Sequence, residues 1–556
     1  MATFLHRALI TTGALLGVAV LASSIATAQN RRFYDDDPIA REPDTQDASG
    51  VVEWEIDLIV DLAINMLGRP GDKATNVRAG NINTIDELPD SNWFTNRIVS
   101  RPVTVDEAVK GPVTGAPPAA GRWTVVGEKR SGVAPGFTAR DSAGELWFVS
   151  FDADGHPEAA TGAILVANKL FWTLGYWQVE NHLTAIKREE IDIAPETLVT
   201  PRSGKRRQMK QSDLDAVFKR AHRSADGSYR AAAARGLPGR TVGGFKYFGT
   251  RPDDPNDVVP HEHRRELRAL KVFGAWTNLV DVKAGNTLDT VIPDKGRSVV
   301  RHYLQDVGST FGTGALGPHQ YDEGWEYLLD LGLLRKRFFL LGFPIQPWQR
   351  ADYADNEAIG RFEGTEFEPA EWKPRVPFAS FLHARLDDSF WAARRVAAFT
   401  DEMIRAVAKT GQYSNASDET LLADVLIQRR DKISGHYLNA INPLVDFALS
   451  PEGRVTFRNA AVDAGVAKAP GEGYRATWST FDNNTGDVAL IGSPTVGAAT
   501  EIAAPAPLPT SDGAFIRIGL VAVGPVPEPW TQPVEVYFRR AGSGWKLVGV
   551  DRLRQE

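Results

Sequence analysis

Apolar and polar residues alternate along short stretches that begin just after position 121. The stretches are RWTVVGEKR, GFTARD and ELWFVSFD, with Gly-containing turns between them. Period-two alternation bounded by glycine is typical of β-strands. The next run, PEAATGAILVANKLFWTLG (157–175), has Pro at its start and Gly at its end and predicts a helix. WQVENHLTAIKREEIDI then returns to strand, so about 122–200 is expected to form a strand-rich lobe with one helix.

Helical spacing of apolar residues marks several other stretches. It occurs in VVEWEIDLIVDLAINMLG (51–68), which ends at the helix stop GRPGD, and in HEHRRELRALKVFGAWTNLV (261–280). SDLDAVFKRAHR has a Ser-x-x-Asp cap and is predicted to be a helix. The region 322–445 carries apolar positions at 3–4 spacing behind good N-caps, including DDSFWAARRVAAFTDEMIRAVAKTG. We therefore expect a helical lobe after the strand-rich one.

Polar and Pro/Gly-rich segments divide the chain. RRFYDDDPIAREPDTQDASG (31–50) is predicted to be a tether, and VKGPVTGAPPAAG (109–121) a linker. TPRSGKRRQMKQ (200–211) is strongly basic and is either a solvated loop or a docking patch for an anionic partner. From about 446 the strand-like runs YRATWSTFDN, FIRIGLVAVG, PVEVYFRR and WKLVGVDR predict a small β-rich C-terminal domain.

Composition and the N-terminal segment narrow the class of protein. Hydrophobic content of 43% and charged content of 24% are those of an ordinary globular protein, and a net charge of −7 gives no general attraction to nucleic acid or to anionic membranes. MATFLHRALITTGALLGVAVLASSIATAQN has a basic start, a short apolar core and a small-residue cleavage site, so 1–28 is predicted to be a signal peptide. An uncleaved membrane anchor is the alternative.

The chain has no Cys, which excludes lipobox lipidation, disulfides and thiol chemistry. We expect an exported protein, periplasmic or extracellular, without a transmembrane segment after cleavage.

Two strings carry candidate chemistry: DVKAGN (281–286) and DVGSTFG (306–312). The first matches Asp-x-Lys-x-x-Asn, the spacing of a protein-kinase catalytic loop. Phosphoryl transfer needs a carboxylate for the attacking hydroxyl, a cation near the phosphoryl group and oxygen ligands for Mg²⁺. Asp281 is the candidate base, Lys283 the cation and Asn286 a metal ligand, and Asp306 offers the second carboxylate for the metal. Both strings can alternatively be simple turns that connect strands.

Other motifs are weaker or missing. GTGALG (312–317) follows the second string instead of preceding the first, which favours a flexible loop over a phosphate cradle. HEH (261–263) lacks the spacing of a zinc site, so we expect a solvated first helical turn. Neither a G-x-S-x-G elbow nor a G-x-x-x-x-G-K-[ST] loop occurs in the sequence.

From about 122 to 438 the chain resembles the atypical kinase-like superfamily that includes HipA, the spore-coat CotH proteins and type II phosphatidylinositol 4-kinases. The strings that carry the resemblance are GFTARDSAGELWFVSFDADGHPEAATGA, LGYWQVEN, HRRELRALKVFGAWTNLVDVKAGNTLD and HYLQDVGSTFG. The chain is most similar to exported bacterial members of this group. The resemblance implies a two-lobed fold and phosphate transfer from ATP with Mg²⁺.

The resemblance also implies roles for single residues. Asp281 matches the catalytic Asp, Asn286 the metal-binding Asn and Asp306 the second metal ligand. Glu158, which opens the helix after the strand lobe, matches the Glu that pairs with the nucleotide-binding Lys.

Two positions depart from the family pattern. Ser150 stands where the family has the nucleotide-binding Lys, and Leu279 stands where such loops often have His. Loss of that Lys removes a positive contact to the nucleotide phosphates. Lys129 or Arg130, in the turn VGEKRSGVAPG of the strand lobe, is the hypothetical source of a replacement charge.

The sequence therefore predicts an α+β protein with a two-lobed kinase-like fold and a β-rich C-terminal domain. Expected boundaries are 29–121 for the N-terminal extension, 122–445 for the kinase-like domain and 446–556 for the last domain. Within the kinase-like domain, an N-lobe at about 122–200, an insertion at about 200–260 and a C-lobe at about 261–445 are expected. The main functional alternative is an inactive pseudokinase that acts as a periplasmic binding or envelope scaffold protein. A third hypothesis is a carbohydrate-active or envelope-modifying enzyme.

Overall fold

The computed structural model describes residues 31–129, 132–201, 204–340, 346–354 and 356–553. It divides into two compact units. The larger unit consists of Arg41–Asn81 and Leu88–Leu438, and the smaller joins Asn439–Glu556 to Ile82–Glu87 and to the segment before Arg41. The predicted signal peptide and Arg130 lie outside the described residues.

The described helices are α1 (Leu58–Ala63), α2 (Val105–Lys110), α3 (Ala159–Leu174), α4 (Gln211–Phe218), α5 (Arg265–Thr277), α6 (Leu331–Phe339), α7 (Ala379–Leu382), α8 (Leu386–Ala397), α9 (Asp401–Lys409), α10 (Ala416–Tyr437) and α11 (Ala460–Asp463). Helix α1 continues directly into a π-helical turn, Ile64–Gly68. None of the helices in the described residues is long and apolar enough to cross a membrane.

The described strands are β1 (Trp123–Glu128), β2 (Gly136–Arg140), β3 (Leu146–Phe151), β4 (Asn181–Lys187), β5 (Ile191–Ile193), β6 (Leu198–Val199), β7 (Arg207–Gln208), β8 (Ser228–Arg235), β9 (Arg240–Thr241), β10 (Thr287–Asp294), β11 (Arg297–Leu304), β12 (Thr313–Gly314), β13 (Gly317–Pro318), β14 (Leu444–Leu449), β15 (Arg454–Asn459), β16 (Tyr474–Phe481), β17 (Val488–Leu490), β18 (Thr495–Gly497), β19 (Glu501–Ala503), β20 (Phe515–Ala522), β21 (Val534–Ala541) and β22 (Gly544–Asp551).

A six-stranded sheet forms the N-terminal lobe of the larger unit, in the order β4-β8-β3-β2-β1-β5. Alternate residues of β1, β2 and β3 are buried, as the period-two pattern predicts, and they form a core with Phe218 of α4 and Tyr229 of β8. Helix α3 packs against β3, β4 and β8. It ends at Gly175, where an added Cβ would lie 2.1 Å from a ring carbon of Phe94, so only glycine fits.

A hairpin places the two candidate motifs side by side. Strands β10 and β11 are antiparallel and in continuous register from Thr287↔Leu304 to Asp294↔Arg297. The first motif immediately precedes β10 and the second begins two residues after β11. Because the arms are equal in length, the hairpin returns the chain to where it started. The hairpin sequence TLDTVIPDKGRSVVRHYL separates the two motifs along the chain. Pairing of its two strands places the motifs next to each other.

Helices α5, α8 and α10 pack together in the C-terminal lobe. Arg265 and Arg268 of α5 both donate 3.0 Å hydrogen bonds to Asp388 of α8, and all three side chains are buried. Helix α5 ends at Asn278, which is left-handed with φ 56°. This turn directs the chain into the first motif.

The smaller unit contains two antiparallel sheets. One has the order β17-β16-β20-β21-β22, with β18 also paired to β16, and the other has the order β14-β15-β19. Phe33 completes a buried cluster with Phe481, Phe515, Tyr537 and Val548. The segment before Arg41 is therefore part of this unit.

The α+β class, with a strand-rich N-lobe, a helical C-lobe and a β-rich C-terminal part, is confirmed. The stretch 387–411 is helical, as α8 and α9, and the Thr400 side chain caps the second of these helices. Two local predictions are wrong. Helix α4 is capped through Lys210 and Asp213 instead of the predicted Ser212. The turn at His261 and His263, expected to be solvated, is buried and bonded to Asp257 and Asp72.

Candidate active site

The two sequence motifs meet through the backbone. The amide of Asp306 donates a 3.0 Å hydrogen bond to the carbonyl oxygen of Asn286. The side-chain amide of Asn286 donates a 2.6 Å bond to the carbonyl oxygen of Asp281. Asp281, Asn286 and Asp306 thus belong to one connected loop system at the open end of the β10–β11 hairpin.

The Asp281 carboxylate is held by two cations. Lys283 Nζ lies 2.8 Å from Oδ2, and Arg375 Nη1 lies 3.3 Å from Oδ1. Burial acts to raise the pKa of Asp281, but Lys283, Arg375 and the Asn286 amide outweigh it and lower that pKa. Arg375 also binds Glu323 at 2.9 Å, which fixes the guanidinium in place. Asp281 is therefore an ionised carboxylate with a defined orientation.

The donor groups at the motif junction suit a divalent cation. The exposed Asp306 carboxylate accepts a 3.0 Å bond from the amide of Gly308 through Oδ1. The Asn286 amide nitrogen is committed to Asp281, which leaves the amide oxygen as its donor atom. One carboxylate and one amide oxygen are hard ligands of the kind that Mg²⁺ and Mn²⁺ prefer, with water and nucleotide phosphates supplying the rest. Within the described residues, no group of three or more His, Asp or Glu side chains forms a metal-binding cluster.

The Lys129 side chain reaches Ser150, the position at which the family resemblance implies a lysine. Its Nζ donates a 2.9 Å hydrogen bond to the hydroxyl of Ser150 in β3. Lys129 immediately follows β1, so its side chain must pass across β2 to reach β3. Gly136 of β2 stands opposite Ser150, and a Cβ there would lie 3.2 Å from Lys129 Cδ and 2.2 Å from the Val149 carbonyl oxygen. The missing side chain at Gly136 opens this path.

The Lys129 amine interacts electrostatically with Asp306, the candidate metal ligand. Burial lowers the pKa of Lys129, the Asp306 carboxylate acts to raise it, and Arg220 lowers it further. The charges that act on the Lys129 amine therefore include the Asp306 carboxylate and the exposed Arg220. Helix α3 borders the same loop, because a Cβ on Gly308 would lie 2.8 Å from Ile164 Cγ1.

Glu158 has a different partner from the one implied by the family resemblance. It precedes α3 in a left-handed conformation with φ 66°. Its carboxylate accepts a 2.8 Å bond from the Ser414 amide and a 3.2 Å bond from the Ser414 hydroxyl. Lys129 and Glu158 are both described residues, and they form no ion pair with each other.

A buried histidine was missed by the sequence reasoning. His319 Nε2 lies 2.9 Å from the hydroxyl of Ser309, just after the second motif, and its Nδ1 lies 3.7 Å from Glu323 Oε2. Burial, with repulsion by Arg375 and Arg361, lowers the pKa of His319 to about 3. The neutral ring supports the second motif. Neither His319 nor Arg375 lies within a recognisable motif, so only the fold reveals them.

Neither a protein-family model nor a curated protein matches the chain. Two solved structures of the Golgi casein kinase, one with Mn/ADP bound, are structurally similar. Each is 10% identical and covers 71% of this chain and 93% of its own, with TM-scores of 0.31 and 0.30. The site described above is defined by the contacts of this chain alone.

Proposed function

We propose that this protein is an exported kinase-like phosphotransferase whose nucleotide-binding lysine has moved from β3 to the β1–β2 turn. The observation that carries the proposal is the Lys129–Ser150 hydrogen bond. The bond brings a half-buried cation to the position left by the missing lysine, where the Asp306 carboxylate acts on its pKa. The predicted signal peptide supports export.

In the proposed reaction, an acceptor hydroxyl attacks the γ-phosphorus of a nucleoside triphosphate. The new bond joins the acceptor oxygen to phosphorus, the bond to the β–γ bridging oxygen breaks, and a nucleoside diphosphate leaves. Asp281, kept ionised by Lys283 and Arg375, orients the hydroxyl and takes its proton. Lys283 stabilises the transferring group, and Lys129 contacts the α- and β-phosphates.

Asn286 and Asp306 are the residues that would hold Mg²⁺ or Mn²⁺. A bound divalent cation supplies charge neutralisation on the phosphate oxygens. The protein's own part is to keep both ligands adjacent through the Asp306–Asn286 backbone bond. Lys129 approaches the same phosphates from the sheet.

A catalytically inactive binding protein is the second candidate. It is favoured by the pairing of both Asp281 carboxylate oxygens, Oδ2 to Lys283 and Oδ1 to Arg375. A base engaged by two cations has less capacity to accept a proton. In this alternative the cleft binds a partner without phosphate transfer.

The proposal is tested by the thermal stability of the mature protein with Mg²⁺ and ATP. A ligand that binds only the folded state stabilises it by about 2.7 kcal/mol at a hundredfold excess over Kd. We expect stabilisation in the wild type and in the exposed control Asp352→Ala, and its loss in Asp306→Ala. Absence of stabilisation in the wild type at millimolar nucleotide would contradict nucleotide binding. Binding without transfer of a labelled γ-phosphate to any hydroxyl acceptor would favour the inactive alternative.

A further inference from the structure

The helix formed by α1 and its π-helical turn is held by little apolar contact. Asp61 and Asn65, one turn apart, are the only buried residues of 58–68. A surface helix normally buries its apolar stripe. Here the large apolar side chains are exposed instead, and they are Leu58, Ile59, Val60, Leu62, Ile64 and Leu67. The hydrophobic effect therefore contributes little to the position of this helix.

The two buried side chains also contribute little to that position. Oδ1 of Asp61 and Oδ1 of Asn65 have no hydrogen-bond partner among the described residues. The Asn65 amide nitrogen donates within the helix, to the Asp61 carbonyl oxygen at 2.8 Å. Burial raises the pKa of Asp61, and Lys246 acts to lower it. Buried oxygens without donors favour a state in which water reaches them.

The segment 55–70, here called the strap, is fixed at its two ends. Before it, the Trp54 amide bonds to the Val242 carbonyl oxygen at 2.9 Å, and after it the Asp72 amide bonds to Glu262 at 2.8 Å. Across the described part of the chain, no hydrogen bond or ion pair joins the strap to a segment distant in sequence. The strap can therefore move while both ends stay in place.

The strap rests on the first motif, 281–286. A Cβ on Gly285 would lie 2.9 Å from Leu58 Cδ1 and 3.2 Å from Leu58 Cδ2. The missing side chain at Gly285 thus makes room for Leu58. The first turn of the strap helix covers part of the loop that carries Asp281.

The C-terminal end of the strap has an unusual backbone. The helix finishes in the π-helical turn Ile64–Gly68, a geometry that is frequent at functional sites. Arg69 follows in a left-handed conformation with φ 44°, which is strained for a residue with a side chain. Gly71 is also left-handed, with φ 86°. Movement of the strap would relieve the strain at Arg69.

We propose that the strap is a movable cover of the first motif, seated on Gly285 in this structure and displaced when an acceptor approaches Asp281. Segments with few buried apolar contacts open at a low free energy, as the lids of active sites must. The part of the acceptor rests on the proposed function. Opening and covering do not, so their failure can be distinguished from a failure of phosphate transfer.

The absence of cysteine from the chain makes thiol labelling a direct measure of opening. Asp61→Cys places a thiol on the buried face and removes no hydrogen bond formed with the described residues. Ser434→Cys in α10 is the matched control, because Asp61 is 4% exposed and Ser434 is 3% exposed. In the mature chain under native conditions, we expect iodoacetamide to label position 61 about a hundredfold faster than position 434. Equal rates in two variants with equal unfolding midpoints would overturn the proposal.

Replacement of 57–69 by a Gly/Ser linker of the same length tests whether the strap covers the motif. We expect amide hydrogen exchange across 281–286 to become about tenfold faster, with exchange in β1–β3 and the unfolding midpoint unchanged. Unchanged exchange across 281–286 would overturn the proposal. A lower unfolding midpoint with faster exchange throughout the larger unit would also overturn it, because the helix would then be part of the core.

Discussion

The amine of Lys129 donates a 2.9 Å hydrogen bond to the hydroxyl of Ser150. The two residues lie on different segments of the N-terminal sheet, and the bond crosses the intervening strand at Gly136. Ser150 therefore acts as an acceptor for a lysine that comes from a neighbouring turn. Serine at this position is compatible with a working phosphate site.

Gly136 is predicted to be essential for this arrangement. In Gly136→Ala the new Cβ would meet the Val149 carbonyl oxygen at 2.2 Å and lie against the Lys129 stem. We expect destabilisation of about 1–3 kcal/mol and weaker nucleotide binding, measured by thermal unfolding with and without Mg-ATP. Gly127→Ala in β1 is the control, because its Cβ would be 3.7 Å from the nearest atom. Equal behaviour of the two variants would contradict the prediction.

Glu158→Gln is predicted to change local stability more than nucleotide affinity. The carboxylate binds Ser414, while Lys129 is held by Ser150. Removal of the charge should leave the Kd for Mg-ATP within about threefold, a change of well under 1.4 kcal/mol. A loss of affinity as large as in Lys129→Met would instead show that Glu158 orients the lysine when nucleotide is bound.

Asp388→Ala is predicted to be strongly destabilising. Asp388 is buried and accepts bonds from Arg265 and Arg268, so its removal leaves two buried guanidinium groups without this partner. Loss of one member of a buried ion network lowers the free energy of unfolding by about 3–5 kcal/mol. Asp424→Ala, which removes an exposed pair with Arg405, should cost less than about 1 kcal/mol. Similar unfolding midpoints for the two variants would contradict the buried network.

Lys169 is predicted to make stability depend on pH above neutrality. Burial lowers its pKa to about 8, so between pH 8 and 10.5 the unfolded chain binds the proton more strongly and stability rises with pH. Lys169→Met removes the cost of burying the ammonium group and should stabilise the protein by about 1 kcal/mol or more at pH 7. That gain should shrink between pH 8 and 10.5. A gain that does not vary with pH would contradict the assignment.

The strand lobe and its helix were predictable because their patterns are local. Period-two burial in β1, β2 and β3, and the Pro and Gly that bound α3, are written into short stretches of sequence. The β10–β11 hairpin was not identified, although it is what joins the two motifs. Its sequence lies between the two candidate motifs, and strand pairing is a non-local property.

Only the site residues that lie within the two sequence motifs could be predicted. The spacing of Asp281, Lys283 and Asn286 indicated one loop, and the structure adds the contact with Asp306. Arg375 lies far along the chain and no pattern connects it to Asp281. The helical spacing in 58–68 predicted a helix but not which face is buried, because that depends on what the helix packs against.

The most direct test of the central claim is Mg-ATP affinity in a set of variants at positions 129 and 150. We predict that Lys129→Met raises Kd at least tenfold, about 1.4 kcal/mol, by removing the phosphate contact. Adding Ser150→Lys to that variant should restore binding, because the lysine then occupies the strand position implied by the family resemblance. Two results would contradict the proposal that Lys129 replaces the strand lysine. One is that Lys129→Met binds Mg-ATP as tightly as the wild type, and the other is that adding Ser150→Lys does not restore binding.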